Sequence, residues 1–503
     1  MELPWDHSAW KPTAGAFEWS GGHWEKPSKK KQEFVKLRGQ LATTAKKAQD
    51  NPHEARFRFQ RGKTLYDLGY PELAAGDYEK TLMLIEYGLD FSSDLGEDVR
   101  VLGLQKSAKK KPSLSPEAAQ QTVSGNLEKL RKKTYLNYVD AVYATRAYPD
   151  MVEICKEALE NYPGDPDIRE LLGGSECVYS EYVKKSKTML QAQGETLEDS
   201  AWGMIATKSY PWAPPEMRTR AAETMIAANK MLESYSDCLE IRPSALGGPK
   251  AATQCFGMFA KRDIKENERI LNAPTAAGVA NKPVTGQYCY NCASELKMAQ
   301  VSSFSCCPSM KFCGKDCLQI AEDNYHKALC GKDFTDLYQA ASSQDPQESS
   351  KGRDSLVFLR LIAISIQSGT HPLMTPPISW LVANDESPSP IPWSRGANIT
   401  GPLKAIQKLG LDIFAEEYDT WVLQTMCCEP STMDQTDLSP TISSTSRAVM
   451  IATKDIKAGE EVYDTYLNPM YLSAPKAIRQ KEMERGGWLD ARGCRCRRCL
   501  AER

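Results

Sequence analysis

Apolar residues recur at helical spacing through most of the first half of the chain. The pattern is helical from about Gln32 to Asn51. It resumes in Phe57-x-Phe59-x-x-Gly62-x-x-Leu65-Tyr66-x-Leu68-Gly69-Tyr70, followed by Leu73-Ala74-Ala75-Gly76-Asp77-Tyr78. Small residues there stand where two antiparallel helices must approach closely, and large apolar ones fill the positions between. A weaker second copy runs from Tyr135 through Tyr143, Ala147-Tyr148, Ile154-Cys155 and Ala158-Leu159 to Asn161-Tyr162-Pro163. Residues 216 to 235 again read as helix, and from Cys238 the character changes to short β-rich runs. Two of those runs match each other: Cys255 to Ile270, and Ala448 to Val462. Each has a short apolar strand, then Ala or Ala-Thr, a basic residue, Asp-Ile, and a turn into Glu and a second strand. Asp412 to Ala415 through Trp421 to Gln424 reads as helix, and Ser/Thr-rich Asp434 to Ser446 as loop. Before all of this, residues 1 to about 30 carry Trp5, Trp10, Trp19 and Trp24 without any period. They read as an extended arm packed on the body, or as a partner-binding peptide.

At 503 residues the chain has room for several domains. Hydrophobic content of 41% and charged content of 25% are those of an ordinary globular protein. A formal charge of −2 gives no general attraction to nucleic acid or anionic membrane. The N-terminus has no apolar signal segment, and the most apolar run, Ser355 to Ile366, is too short to span a bilayer and contains Arg360. A soluble protein of the nucleus, the cytoplasm or both is expected, with cysteines kept reduced. Lys29 to Lys31 and Lys106 to Pro112, the latter continuing into a Ser/Pro-rich stretch to Pro116, are short basic segments that suit either linkers or nuclear targeting.

The cysteines are unevenly placed. Of 16, only Cys155, Cys177, Cys238 and Cys255 precede residue 289. Then come Cys289-x2-Cys292, Cys306-Cys307, Cys313-x3-Cys317 and His326-x3-Cys330. Thiolates and imidazole are preferred zinc ligands, and short paired spacings bring two donors to one ion. Cys313/Cys317 and His326/Cys330 are i,i+4 pairs, which share one face of a helix. Eight donors make two four-coordinate sites, so a closed two-zinc module is expected; the alternative is a set of buried or bridged cysteines.

The helical pattern around Phe57 to Tyr78 resembles a tetratricopeptide repeat (TPR); an ordinary helical hairpin domain is the alternative. The two β units with the cysteine segment between them resemble the SET-domain protein-lysine methyltransferases. The closer likeness is to the SMYD type, in which a MYND zinc finger is inserted into the SET domain. The resemblance implies an α+β multidomain fold: an arm (1–31), TPR-like helical hairpins (32–237), the first part of a β-rich SET domain (238–288), the finger (289–330), a helical insert (331–425), the second SET part (426–475) and a post-SET cysteine cluster (476–503). It maps MYND ligands onto Cys289, Cys292, Cys307, Cys313, Cys317, His326 and Cys330. The family's third cysteine falls near Phe304, so Cys306 takes its place. It also implies S-adenosylmethionine as cofactor near Gly257, Phe259 and Tyr463, with Tyr466 at the methyl-transfer site. A third zinc is implied at Cys428, Cys494, Cys496 and Cys499.

Departures fall on the cofactor positions. Thr425 and Met426 stand where the family has Asn and His, and Cys255-Phe256-Gly257 keeps one of two expected glycines. Only three residues separate Gln424 from Cys428, where the family places central strands. Two functions therefore compete: a protein-lysine methyltransferase, or a zinc-stapled adaptor that has lost methyl transfer. The expected partner is a protein, a histone among the candidates, with no direct nucleic-acid or membrane contact.

Overall fold

The computed structural model of the chain describes residues 31–110, 115–193, 203–205, 210, 212–213, 222–244, 256–274, 287–297, 301–376, 378–380, 391–434, 447–463, 471, 474–485, 499 and 501. The tryptophan-bearing arm at 1–30, the Ser/Pro stretch at 111–114 and the polar stretch 435–446 lie outside these residues. Within them the fold is mixed α and β, with helix predominating. No described helix is long and apolar enough to cross a membrane.

The N-terminal half is a run of helices: Lys31–Asp50, Ala55–Leu68, Pro71–Leu89, Asp94–Lys110, Pro116–Ala144, Tyr148–Asn161 and Pro166–Gln193. Ala55–Leu68 ends at Gly69, whose φ of 91° only glycine adopts without strain, and Pro71 opens the next helix at its first position. The two helices then fold back to back. A β-carbon on Gly62 would stand 2.9 Å from the Tyr78 ring, so the small residue sets the approach. Farther along, Met151, Ile154, Cys155 and Ala158 bury one face of Tyr148–Asn161, the helical stripe its spacing implies.

Segment 391–427 is locked against this array by buried polar contacts. Arg61 pairs with Asp77 of the neighbouring helix at 2.5 Å and with Asp419 at 2.6 Å. Lys80 Nζ donates to the Tyr418 carbonyl, and Arg395 joins Glu79 and Glu157. The helix Thr420–Asp434 packs so closely that a β-carbon on Gly76 would collide with Thr420 Cγ2 at 2.1 Å. One apolar core therefore runs from Leu41 to Met426 and includes Cys289, Cys292 and Cys307.

The β-structure forms a separate, smaller core around Cys238, Ala260, Ile264, Ala452, Ile456 and Val462. Strand Phe256–Ala260 lies between Leu239–Pro243 and Glu461–Val462, all antiparallel, while Arg269–Pro274 pairs with Arg447–Ile451. The two matching sequence units meet here, each finishing the other's turn. Ile264 and Ile456 exchange both backbone hydrogen bonds, at 2.8 and 3.0 Å. Asp263 accepts from the Ala458 N–H and from Lys457, and Asp455 accepts from the Glu266 N–H and from Lys265. Within each unit the acid one step past the turn, Glu268 or Glu460, accepts from the N–H of Lys265 or Lys457. The equivalent turn residues Asn267 and Gly459 both have positive φ, 66° and 81°. Sequence likeness has become a local two-fold.

Candidate functional site

The cysteine segment has little backbone ladder of its own. Its strands Ser302–Ser303 and Lys311–Phe312 are two residues each, followed by helix Lys315–Asn324. Side chains gather instead. Cys289, Cys292, Cys313 and Cys317 form one group and Cys306, Cys307, His326 and Cys330 a second, the donor atoms of each group lying within 4.8 Å of one another. The pairs interleave, the first with the third and the second with the fourth, so the two groups cross-brace the segment.

Donor spacing tests whether these groups suit a metal. Tetrahedral zinc with Zn–S of about 2.3 Å places its sulfurs about 3.8 Å apart. Cys292–Cys313, Cys313–Cys317 and Cys307–Cys330 are each 3.6 Å apart, and Cys306 Sγ lies 3.3 Å from His326 Nε2. The groups fit. Electrostatics point the same way. Hydrogen bonding with Cys289 holds the Cys292 thiol far below its usual range, while the same neighbour pushes Cys317 far above it. Four adjacent thiolates repel, and a dication resolves the conflict. Burial lowers the His326 imidazole, keeping it neutral, the form that binds metal. Phe304 holds the ring from one side, stacked at 3.7 Å between centroids and 14° between planes. Thus Cys306 is in the donor group and Phe304 is a support. On the other group, the Asn291 amide reaches Cys317 Sγ at 3.6 Å and is itself held by the Tyr325 hydroxyl at 3.0 Å. Arg360 ties the module to helix Pro346–Ser368, donating to the Tyr290 carbonyl and lying 3.7 Å over the Tyr325 ring.

A second site forms on the three-stranded sheet. Register sets Arg242 opposite Gly257 and Glu240 opposite Phe259, with Phe259 also opposite Glu461. Directly opposed residues share a face and successive ones alternate, so Glu240, Arg242, Gly257, Phe259, Glu461 and Tyr463 face one way while Ala260 and Val462 enter the core, and Arg242 pairs with Glu240 at 3.3 Å. The Tyr463 hydroxyl donates to Glu461 Oε2 at 2.8 Å. The other carboxylate oxygen, Oε1, lies 2.0 Å from where a Gly257 β-carbon would be, so glycine admits the carboxylate here. Arg242 stacks over the Phe259 ring at 4.2 Å. Tyr463 is 53% exposed, leaving this face open to solvent.

Residues 255–467 match the SET domain. No curated protein matches the chain. The SET match opens one residue before strand Phe256–Ala260 and closes after Glu461–Val462, and both cysteine groups fall inside it. The three residues expected at the SET cofactor, Gly257, Phe259 and Tyr463, come together on one face. Glu240, Arg242 and Glu461 join them, and strand alternation is the signal that could have found all three.

Another part of the SET match lies in the helix Thr420–Asp434. Thr425 and Met426 belong to helix Thr420–Asp434, where Met426 is fully buried and Thr425 Oγ1 donates to the Trp421 carbonyl. Gln424 is buried beside them, accepting from Trp393 Nε1. Cys428 lies on the same helix with its side chain outside the described residues, as are Cys255, Tyr466, Cys494 and Cys496. Cys499 is described and buried; its carbonyl accepts from Lys476 Nζ, and Arg479 reaches its sulfur at 3.8 Å.

Proposed function

We propose that the chain is a SET–MYND protein-lysine methyltransferase that uses S-adenosylmethionine, with zinc as a structural element. The convergence of Gly257, Phe259, Glu461 and Tyr463 on one open sheet face, inside the span matching the SET domain, carries this reading. The donor set suits the cofactor. Arg242 would take its carboxylate, Phe259 offers an aromatic surface, and Glu461 would face its ammonium or ribose hydroxyls. When bound, the cofactor supplies an electrophilic methyl group. Tyr466 would orient the neutral lysine amine for in-line attack, as the resemblance implies. Two zinc ions would occupy the interleaved donor groups and a third would use Cys428, Cys494, Cys496 and Cys499. The helical array would present the protein substrate or partner, a histone among the candidates, in the nucleus or cytoplasm.

Calorimetric titration of the full chain with S-adenosylmethionine tests this reading. Saturable binding, weakened at least tenfold by Gly257→Val, is the expected result; no binding at millimolar cofactor overturns it. A second reading, a zinc-stabilised adaptor without methyl transfer, is favoured by the burial of Thr425 and Met426 in a helix core. Cofactor binding without methylation of any lysine peptide or histone would select it.

A further inference from the structure

Beneath the first two helices lies a cavity of about 180 Å³, outside the sheet face and the cysteine module. Arg58 and Arg61 line it together with Phe414 and Trp421, and Gln49 and Glu416 meet across its mouth at 2.6 Å. The two arginines are placed differently. Arg61 is neutralised by Asp77 and Asp419, with hydrogen bonds to both. Arg58 is 3% exposed, yet its hydrogen bonds, from Nε and Nη2, go to the backbone carbonyls of Pro52 and Phe414. Among the described residues no carboxylate lies within ion-pair distance of it.

A buried charge with no carboxylate in direct contact is expensive to maintain. Around it, Arg61 and Lys80 are buried with Asp77, and Asp419 lies half-buried at the edge of the cavity. Two further carboxylates stand at the solvent edge, Asp412 beside His53 and Glu416 accepting from Gln49. Burial, with Arg61 nearby, pushes the Arg58 guanidinium down to about 10, and burial beside Arg58 pushes Lys80 down to about 7. Arg58 is thus left without a carboxylate in contact, and there is an adjoining space to receive one.

We propose that the cavity is a ligand site for a carboxylate carried on an aromatic ring, with Arg58 as the anion-binding group. The volume suits the ring, because a cavity of about 150 Å³ holds benzene. Phe414 and Trp421 give it flat apolar walls. The carboxylate comes either from a free arylacetic acid or from the C-terminus of a peptide that ends in an aromatic residue, two sources with the same chemistry.

Calorimetry on the full chain tests the site with phenylacetate, phenylacetamide, N-acetyl-Gly-Phe and the amide of that dipeptide. Saturable binding of an acid, at least tenfold tighter than its amide, is expected. Preference for phenylacetate assigns the source to a free acid, and preference for the dipeptide assigns it to a peptide terminus. Arg58→Gln should weaken the acid at least tenfold and Arg58→Lys less. Glu416→Gln, an exposed change, should tighten it severalfold by removing a like charge from the mouth. Equal affinity for acid and amide, or no saturable binding of any of the four at millimolar concentration, overturns the proposal. The acid–amide comparison uses unaltered protein, so it stands even if an Arg58 variant does not fold.

Discussion

Between Cys289 and Cys330 the chain crosses itself through side chains; between Phe256 and Val462 it does so through its backbone. The module has strands of two residues and two groups of donors whose charges conflict. The β-frame has a five-residue central strand, a complete pair of exchanged hydrogen bonds at Ile264 and Ile456, and turns that finish one another. One region is held by side chains, an apolar core and two donor groups that suit a cation, while the other is held by its own main chain. Position within a single SET match does not make two regions alike in what stabilises them.

Chelation should separate them most sharply. Structural zinc is worth on the order of 10 kcal/mol in isolated fingers, so a strong chelator should unfold residues 287–331. Hydrogen exchange should then show that segment losing protection while Ile264 and Ile456 keep theirs; simultaneous loss would end the distinction. Single ligands come next. Because the donor groups are separate, Cys292→Ser and Cys330→Ser should each remove one zinc and leave the other, as counted by native mass spectrometry.

Smaller effects probe the frame. Gly459→Ala should destabilise by about 1 kcal/mol because its φ of 81° strains any β-carbon. Asn267→Gly, at the equivalent position, should change urea stability by only a few tenths. A neutral Gly459→Ala would mean that the positive φ at this turn is not required by the frame. Smallest of all are Asp263→Ala and Asp455→Ala, which should lower the melting temperature by matching amounts. The pKa of Asp263 is lowered chiefly by its hydrogen bond from Lys457, and that of Asp455 by the Glu266 N–H. Carboxylates held below their usual range stabilise above that range and stop doing so as pH falls through the lowered value. The difference between wild type and each variant should therefore close in strong acid and be constant near neutrality.

What could be read from residues alone follows this division. Ligand pairs in the module are four residues apart or fewer, so their spacing is legible. Which pair shares an ion with which depends on how the segment folds, and spacing leaves that open. The two matching β units are plain in composition, yet nothing in one unit says that its aspartate serves the other's turn. Arg242 and Glu461 are not legible in the sequence, because their strands are short and register alone places them on the face. The stretch around Met426 was compared with a cofactor loop, while Val422, Leu423 and Met426 already had the spacing of a buried helical face. The charged seam of Arg61, Asp77 and Asp419 was invisible, since its members only become neighbours in the fold.

The pairing of Pro274 with Arg447 has one more consequence. These two residues are adjacent partners at the end of a ladder, and everything between them leaves and re-enters the frame through that single doorway. To the frame, the module and the helices behind it are one loop, and doubling a loop adds only about 0.6 kcal/mol of closure entropy. The doorway makes the frame a splice point. A hairpin that a few residues could have closed instead tolerates a whole guest, and the guest can be exchanged or lengthened without altering the register of its host.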